Sequence, residues 1–283
     1  MKKFLRDLYT IVKLFSLDPR RDIVLLRELR QYFRDGEILK RQQRQSAIVF
    51  PFGRLRPFLE EKAAESGIAS GHYFHQDLLV ARRIFQRRPV RHVDVGSRID
   101  GFVAHVASFR RIDVLDVRPL NNPIPNVRFM QCDVMGAIPA PFLECCDSLS
   151  CLHTLEHFGL GRYGDRIQFD GYLTGLDNLK KILAPGGILY LSVPIGVQRI
   201  EYNAQRVFST SYLWQILAKR FTIIGFSFVD DAGDLRENVP VDEQAVAENF
   251  HCRFGCGIFE LKKPPNHASR KKSKLHKKRN SGG

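Results

Sequence analysis

The 283-residue chain has no apolar run approaching the roughly 20 residues that span a bilayer, which argues against a membrane-spanning helix. Phe4 to Leu17 is partly apolar, but Asp7 and Lys13 interrupt it and no small-residue cleavage site follows, so a secretory signal is not expected. A disulfide framework or zinc ribbon is also missing. Cys132, Cys145, Cys146, Cys151, Cys252 and Cys256 match neither spacing and read as reduced, buried small hydrophobes. These absences point to the cytoplasm. Acid is missing from residues 262–283, which hold nine Lys/Arg and no Asp/Glu. Residues 1–45 hold twelve basic against six acidic residues, and residues 46–261 hold 23 against 24. The net charge of +14 therefore belongs to the two ends, and the near-neutral body argues against a nucleic-acid-binding surface.

That distribution gives three segments: a helical arm over 1–45, a folded domain over 46–261 and a basic disordered tail over 262–283. In the arm, Phe4, Leu5, Leu8, Ile11, Val12 and Phe15 recur at helical spacing. Leu17-Asp18-Pro19 breaks the pattern, and a second helix runs through Ile23, Leu26, Leu29 and Phe33 to a stop near Gly36. The arm either packs on the body or a twin subunit, or lies on anionic lipid as an interfacial helix. The tail is a solvated segment or a tether to an anionic membrane surface.

The domain reads as α/β. Short apolar runs ending in acidic or small polar residues recur at Val93–Ser97, Ile112–Asp116, Val127–Asp133 and Asp147–Cys151, and a fifth strand spans Gly187–Pro194. Helices are expected over Gly71–Arg88, Gly101–Phe109, Tyr172–Leu183 and Ser211–Lys219. Two strands, Phe221–Val229 and Phe254–Leu261, close the sheet, the last antiparallel; between them Asp230–Asn249 is long enough for a lid or a short helix. The expectation is a Rossmann-like, seven-stranded, mostly parallel sheet with ligands at the carboxyl ends of its strands.

No G-x-G-x-x-G follows the first strand, because Arg98 and Asp100 stand where glycines would be. A pyrophosphate needs that bare backbone and a sulfonium nucleoside does not, which disfavours a dinucleotide. Gly96 permits a tight turn beneath a ligand, and the helix start near Gly101 offers N–H groups to a carboxylate. Asp116, 22 residues after Asp94, is placed to accept ribose hydroxyls, and Asp133 an adenine amino group. Asp94, Gly96, Ser97, Asp116 and Asp133 are thus the candidate cofactor residues. After the fourth strand, a helical turn puts His153, Glu156 and His157 on one face. They read three ways: a carboxylate-oriented base, ligands of a divalent metal, or hydrogen-bonded pocket floor. The same letters spell H-x-x-E-H, but a strand before and glycines after oppose a peptidase helix. Arg162, Tyr163 and Arg206 are candidate contacts to an acceptor.

The topology resembles that of class I S-adenosylmethionine-dependent methyltransferases. More specifically, Tyr73–Asp77, Val93–Phe102, Leu115–Leu120, Glu156–Asp165, Ser192–Gly196 and Asn203–Phe208 resemble the signature segments of the domain-of-unknown-function 268 family, over roughly residues 70–262. The resemblance implies a methyltransferase-like fold and, from the family's association with surface-polysaccharide gene sets, a glycan or glycolipid acceptor. Gln205 stands where that family's pattern leads one to expect histidine. Three functions follow as expectations: O-methylation of a sugar-containing acceptor, a catalytically inactive binding or assembly module, and, less favoured, nucleic-acid methylation.

Overall fold

The computed structural model describes residues 19–48, 50–59 and 66–265. The helix expected over Phe4–Phe15 and nearly all of the basic tail lie outside them. The chain divides into two compact units, residues 1–68 and 69–283.

In the first unit, α1 (Pro19–Gln45) continues past Gly36, where a stop was expected. One interior glycine costs only about 1 kcal/mol relative to alanine. Glu37 to Gln45 are nearly all good helix formers, and Lys40 pairs with Glu37 at 2.9 Å in the turn that follows the glycine. No helix among the described residues is long and apolar enough to cross a membrane.

The second unit is a sheet between two helical layers. It opens with α2 (His72–Arg87), which buries Leu79, Val80, Ala81 and Ile84 and stops at left-handed Arg88. Strands β1 (His92–Val95), β2 (Ile112–Asp116), β3 (Val127–Gln131), β4 (Cys146–Leu152) and β5 (Leu183–Ile195) follow in the expected places. Between β1 and β2 the turn Ile99–Val103 leads into α3 (Ala104–Ala107), and α4 (Gly171–Ile182) precedes β5. A hairpin of β6 (Arg199–Glu201) and β7 (Gln205–Val207) leads to α5 (Thr210–Ala218) and β8 (Thr222–Val229). The connection beyond β8 holds β9 (Leu235–Arg236) and the short α6 (Glu243–Ala247), before β10 (Gly255–Lys262) closes the sheet.

The order is β3-β2-β1-β4-β5-β10-β8-β9. Strands β1 to β5 pair in parallel, while β10 lies antiparallel between β5 and β8. The sheet thus has the expected Rossmann-like plan, with one strand more than the seven expected. The extra strand, β9, is two residues long and pairs with the end of β8. The order reverses at β1 and β4, so the switch-point crevice opens between their carboxyl ends. Side chains alternate across the sheet with period two: Leu189, Leu191 and Val193 of β5 pack with α4 and α5, whereas Tyr190 packs on the α2 side.

Buried polar groups pin the centre of this sheet. His92 of β1 is fully buried, with Nδ1 2.8 Å from Ser148 Oγ and Nε2 3.2 Å from Ser150 Oγ, both on β4. Burial pushes its pKa down to about 3, with Arg110 adding to the effect. The unfolded chain therefore binds this proton more tightly than the folded one. The stability His92 contributes is present above its unfolded pKa and is lost as pH falls from about 6.5 toward about 3. Between pH 7 and pH 4, urea unfolding of the His92→Gln variant is expected to lose about 3 kcal/mol less than the wild type. Equal losses would show that His92 is not buried in its neutral form.

Candidate active site

At the carboxyl ends of β1, β2 and β4 lies a cavity of about 290 Å³, whose wall includes Gly96, Asp116, Asp133, His153, His157, Arg162 and Tyr163. The sequence pattern therefore brings seven of its eleven singled-out residues to one space. Asp94, Ser97, Glu156 and Arg206 are buried but do not line it.

The first loop shows why Asp94 stays behind. Its carboxylate accepts from Ser97 N–H at 3.0 Å and Ser97 Oγ at 2.7 Å, and also from Ser150 Oγ. Burial nevertheless pushes its pKa up to about 6, against those hydrogen bonds. Asp94 and Ser97 thus brace the loop that presents Gly96. Gly96 has φ +72°, and a Cβ there would lie 2.3 Å from Thr154 Cγ2, so both conformation and packing require glycine. At the helix start beyond it, one N–H group is already engaged within the chain. Asp77 of α2 accepts from the Phe102 N–H and lies so close that a Cβ on Gly101 would sit 2.7 Å from its Oδ2. Burial raises the pKa of Asp77 to about 6.

Asp116 ends β2 and is nearly buried. It accepts from the Arg118 N–H at 2.8 Å and from the Arg118 guanidinium at 3.0 and 2.7 Å. That guanidinium also lies over the Tyr163 ring, 4.6 Å from its centroid, and Arg162 lies 5.1 Å from the same ring. Asp133 holds its own turn by accepting from Met135 N–H at 2.8 Å. The cavity wall also includes the apolar side chains of Leu115, Val134 and Met135.

His153 follows β4 in a left-handed conformation, φ +47°, anchored by its N–H to Ser192 of β5. Its Nδ1 lies 2.7 Å from Glu156 Oε1, while its Nε2 is buried with no hydrogen-bond partner. Burial opposes protonation of this ring, but the Cys256 sulfur and the Glu156 carboxylate outweigh it and hold the pKa well above the ordinary value. Glu156 is fully buried, and its Oε2 also has no partner. His157 donates from Nδ1 to the Ala204 carbonyl at 2.8 Å, which leaves Nε2 as an acceptor on a ring whose pKa burial lowers. His153, Glu156 and His157 are therefore engaged with one another and with the backbone, not gathered as three converging metal donors.

Arg206 departs from its expected role as an acceptor contact. It is buried, donates to the carbonyls of Glu156 at 3.2 Å, Phe158 at 2.6 Å and Phe169 at 2.8 Å, and lies 4.9 Å from the Tyr172 ring centroid. It fastens the loop that carries His157, Arg162 and Tyr163. Gln205 donates to Glu201 at 3.0 Å inside the β6–β7 hairpin and does not reach the cavity wall. Among the wall residues that sequence reasoning missed are Tyr73 and Arg118, both in segments it singled out.

Comparison with known proteins bears on the fold. Residues 139–249 match the DUF268 family, described as Caenorhabditis protein of unknown function. The matched segment carries β4, the His153–His157 turn, the Arg206-held loop and most of the closing half of the sheet. A comparison with curated proteins finds no match. Among solved structures, the [4+2]-cyclase SpnF is similar at 18% identity and a TM-score of 0.50, over 68% of this chain and 82% of that one. The N-methyltransferase NodS from Bradyrhizobium japonicum WM9, solved with S-adenosyl-L-homocysteine, gives 16% identity, a TM-score of 0.44 and coverage of 69% and 89%. The 1,6-didemethyltoxoflavin-N1-methyltransferase of Burkholderia thailandensis, with bound 1,6-didemethyltoxoflavin and S-adenosylhomocysteine, gives 15%, 0.45, 88% and 91%. These likenesses describe the fold. One of the three is a cyclase, so the fold alone does not fix the reaction.

Proposed function

We propose that the protein is an S-adenosylmethionine-dependent O-methyltransferase acting on a sugar-containing acceptor, a glycan or glycolipid. The observation that carries this reading is the cavity wall, which combines Asp116 and Asp133 with the apolar Leu115, Val134 and Met135. A nucleoside needs that combination: acceptors for its ribose hydroxyls and its adenine amino group, and apolar faces for the base between them. The residues present fit such a cofactor. Asp116 would hold the ribose, exchanging part of its pairing with Arg118, and Gly96 lines the same space.

S-adenosylmethionine, when bound, supplies an electrophilic methyl carbon on a sulfonium leaving group. The chain's own task is to position an acceptor hydroxyl and remove its proton. His157 is suited to that task. Its Nδ1 proton is fixed on the Ala204 carbonyl, its Nε2 is unprotonated at neutral pH, and the ring lies on the cavity wall. His157 accepts the hydroxyl proton at Nε2. Arg162 and Arg118, stacked against Tyr163, present positive charge to an anionic acceptor such as a sugar phosphate.

Isothermal titration with S-adenosylmethionine and S-adenosylhomocysteine tests the cofactor assignment. Micromolar binding is expected, weakened about 30-fold in Asp116→Ala by loss of a charged hydrogen-bond acceptor worth about 2 kcal/mol. Unchanged affinity in that variant would remove the assignment. One observation favours the second reading, a binding or assembly module without transfer activity: Arg118 already engages both oxygens of Asp116. Failure of either ligand to bind the wild type would make that reading the better one. The exposed apolar residues of α1, including Leu26, Phe33 and Leu39, together with the basic tail, support peripheral contact with anionic membrane. Equal liposome sedimentation with and without residues 262–283 would exclude the tail from that contact.

A further inference from the structure

Behind the cavity wall, three donors from distant parts of the sequence meet. They are His72 at the start of α2, His153 after β4 and Cys256 in β10, and among the described residues their donor atoms form a group within 4.8 Å of one another. The two imidazoles stack nearly parallel, with centroids 5.1 Å apart and planes inclined by 10°. Cys256 is a free, fully buried thiol.

The surroundings of these donors are those of a ligand set. His153 Nδ1 is fixed on Glu156 Oε1, so the ring offers Nε2, and that atom is buried without a hydrogen-bond partner. A carboxylate behind a histidine whose far nitrogen is free is the arrangement that orients imidazole toward a metal and makes it more basic. His72 is likewise held through a hydrogen bond with the Phe254 backbone.

We propose that His72, His153 and Cys256 form a binding site for a thiophilic divalent cation of the zinc class. A tetrahedral zinc ion holds its nitrogen and sulfur donors roughly 3.4–3.6 Å apart, as its bond lengths require. Binding therefore draws the three side chains together by about 1 Å and leaves a fourth position for water or a substrate atom. Two nitrogens and a thiolate favour zinc over magnesium or calcium, which take oxygen ligands. His153 belongs to both this site and the cavity wall, so an ion here stands beside the acceptor space. The ligand set differs from the His153–Glu156–His157 set that the sequence pattern offers, because it requires β10 to return beside β5.

The site does not depend on the S-adenosylmethionine assignment, and its test needs no cofactor or acceptor. The full-length protein is stripped with chelator and titrated with cobalt(II) and zinc(II), following thiolate-to-cobalt charge-transfer absorption and melting temperature. One cobalt per chain with a thiolate charge-transfer band is expected, displaced by one equivalent of zinc, with a rise in melting temperature. Cys256→Ser is expected to abolish the band, and His72→Asn to weaken binding at least 100-fold while the band persists at saturating cobalt. His72 is only part-buried at the start of α2, so this second variant keeps the test decisive if Cys256→Ser does not fold. No stoichiometric binding by the wild type would overturn the proposal. So would an undiminished charge-transfer band in Cys256→Ser, which would assign the metal to another cysteine, or unaltered affinity in His72→Asn.

Discussion

Replacing Arg206 with alanine is expected to lower the unfolding free energy by about 3 kcal/mol and to disorder the segment that walls the cavity. The guanidinium supplies hydrogen bonds to three main-chain carbonyls, those of Glu156, Phe158 and Phe169, from a buried position beside the Tyr172 ring. Each carbonyl left without a partner costs roughly 1–3 kcal/mol, reduced where water can enter the space vacated. Relief from burying a cation offsets part of the loss, which keeps the expected total nearer the low end than the sum of three such costs. Lysine should recover less than half, because one ammonium cannot reproduce the planar fork that spans three carbonyls. Urea unfolding gives the first quantity. Hydrogen exchange over residues 156–169 gives the second, with protection expected to fall there before it falls in β4 or β5. A loss below about 0.5 kcal/mol, typical of a surface substitution, would show that Arg206 does not hold the loop.

The same residue marks where sequence reading succeeds and where it stops. Parallel strands buried on both faces leave nearly continuous apolar runs, and β1, β2, β4 and β5 were legible for that reason. The acids at their ends were legible because strand ends are where a sheet of this kind meets its ligand. An isolated arginine has no such signature. Arg206 and Arg162 look alike in sequence, yet one is spent on main-chain carbonyls behind the wall and the other forms part of it. Asp94 and Asp116 likewise both lie near the carboxyl ends of strands, but the serines at 97 and 150 enclose the first. The two-residue β9 was illegible because it is defined only by pairing with β8. His72 and Cys256 were illegible as a pair because 184 positions separate them, and only the insertion of β10 next to β5 brings them to His153. Gly36 misled for a simpler reason: one glycine does not stop a helix when strong helix formers follow.

Substitution of His157 by asparagine is expected to reduce kcat by a factor of about 10² to 10⁴ with little change in KM, the range associated with removing a positioned general base. Asparagine can still donate to the Ala204 carbonyl, so the turn keeps its anchor while the acceptor nitrogen is lost. The pH profile separates this role from a structural one. Burial lowers the pKa of His157 below its ordinary value, with Glu156 acting against that shift and Arg162 with it. Wild-type kcat should therefore rise with pH through the lowered pKa and level off at a lower pH than an unperturbed histidine would give. In His157→Asn that rise should vanish and the residual rate should be flat over the same interval. Initial rates of labelled-methyl transfer to the best acceptor from a panel of nucleotide sugars and lipid-linked glycans supply both readings. A variant that retained the acidic limb would shift the base to another group. His153 is the less suitable alternative, because its Nδ1 is tied to Glu156 and the influence of Glu156 and Cys256 raises its pKa well above the ordinary value. With one nitrogen tied to a buried carboxylate and the other turned toward Cys256, that ring is poorly placed to take a hydroxyl proton. The two histidines of one short turn are thus divided by their surroundings: the ring on the backbone carbonyl is the proposed base, and the ring on the buried carboxylate turns its other nitrogen toward Cys256 and His72.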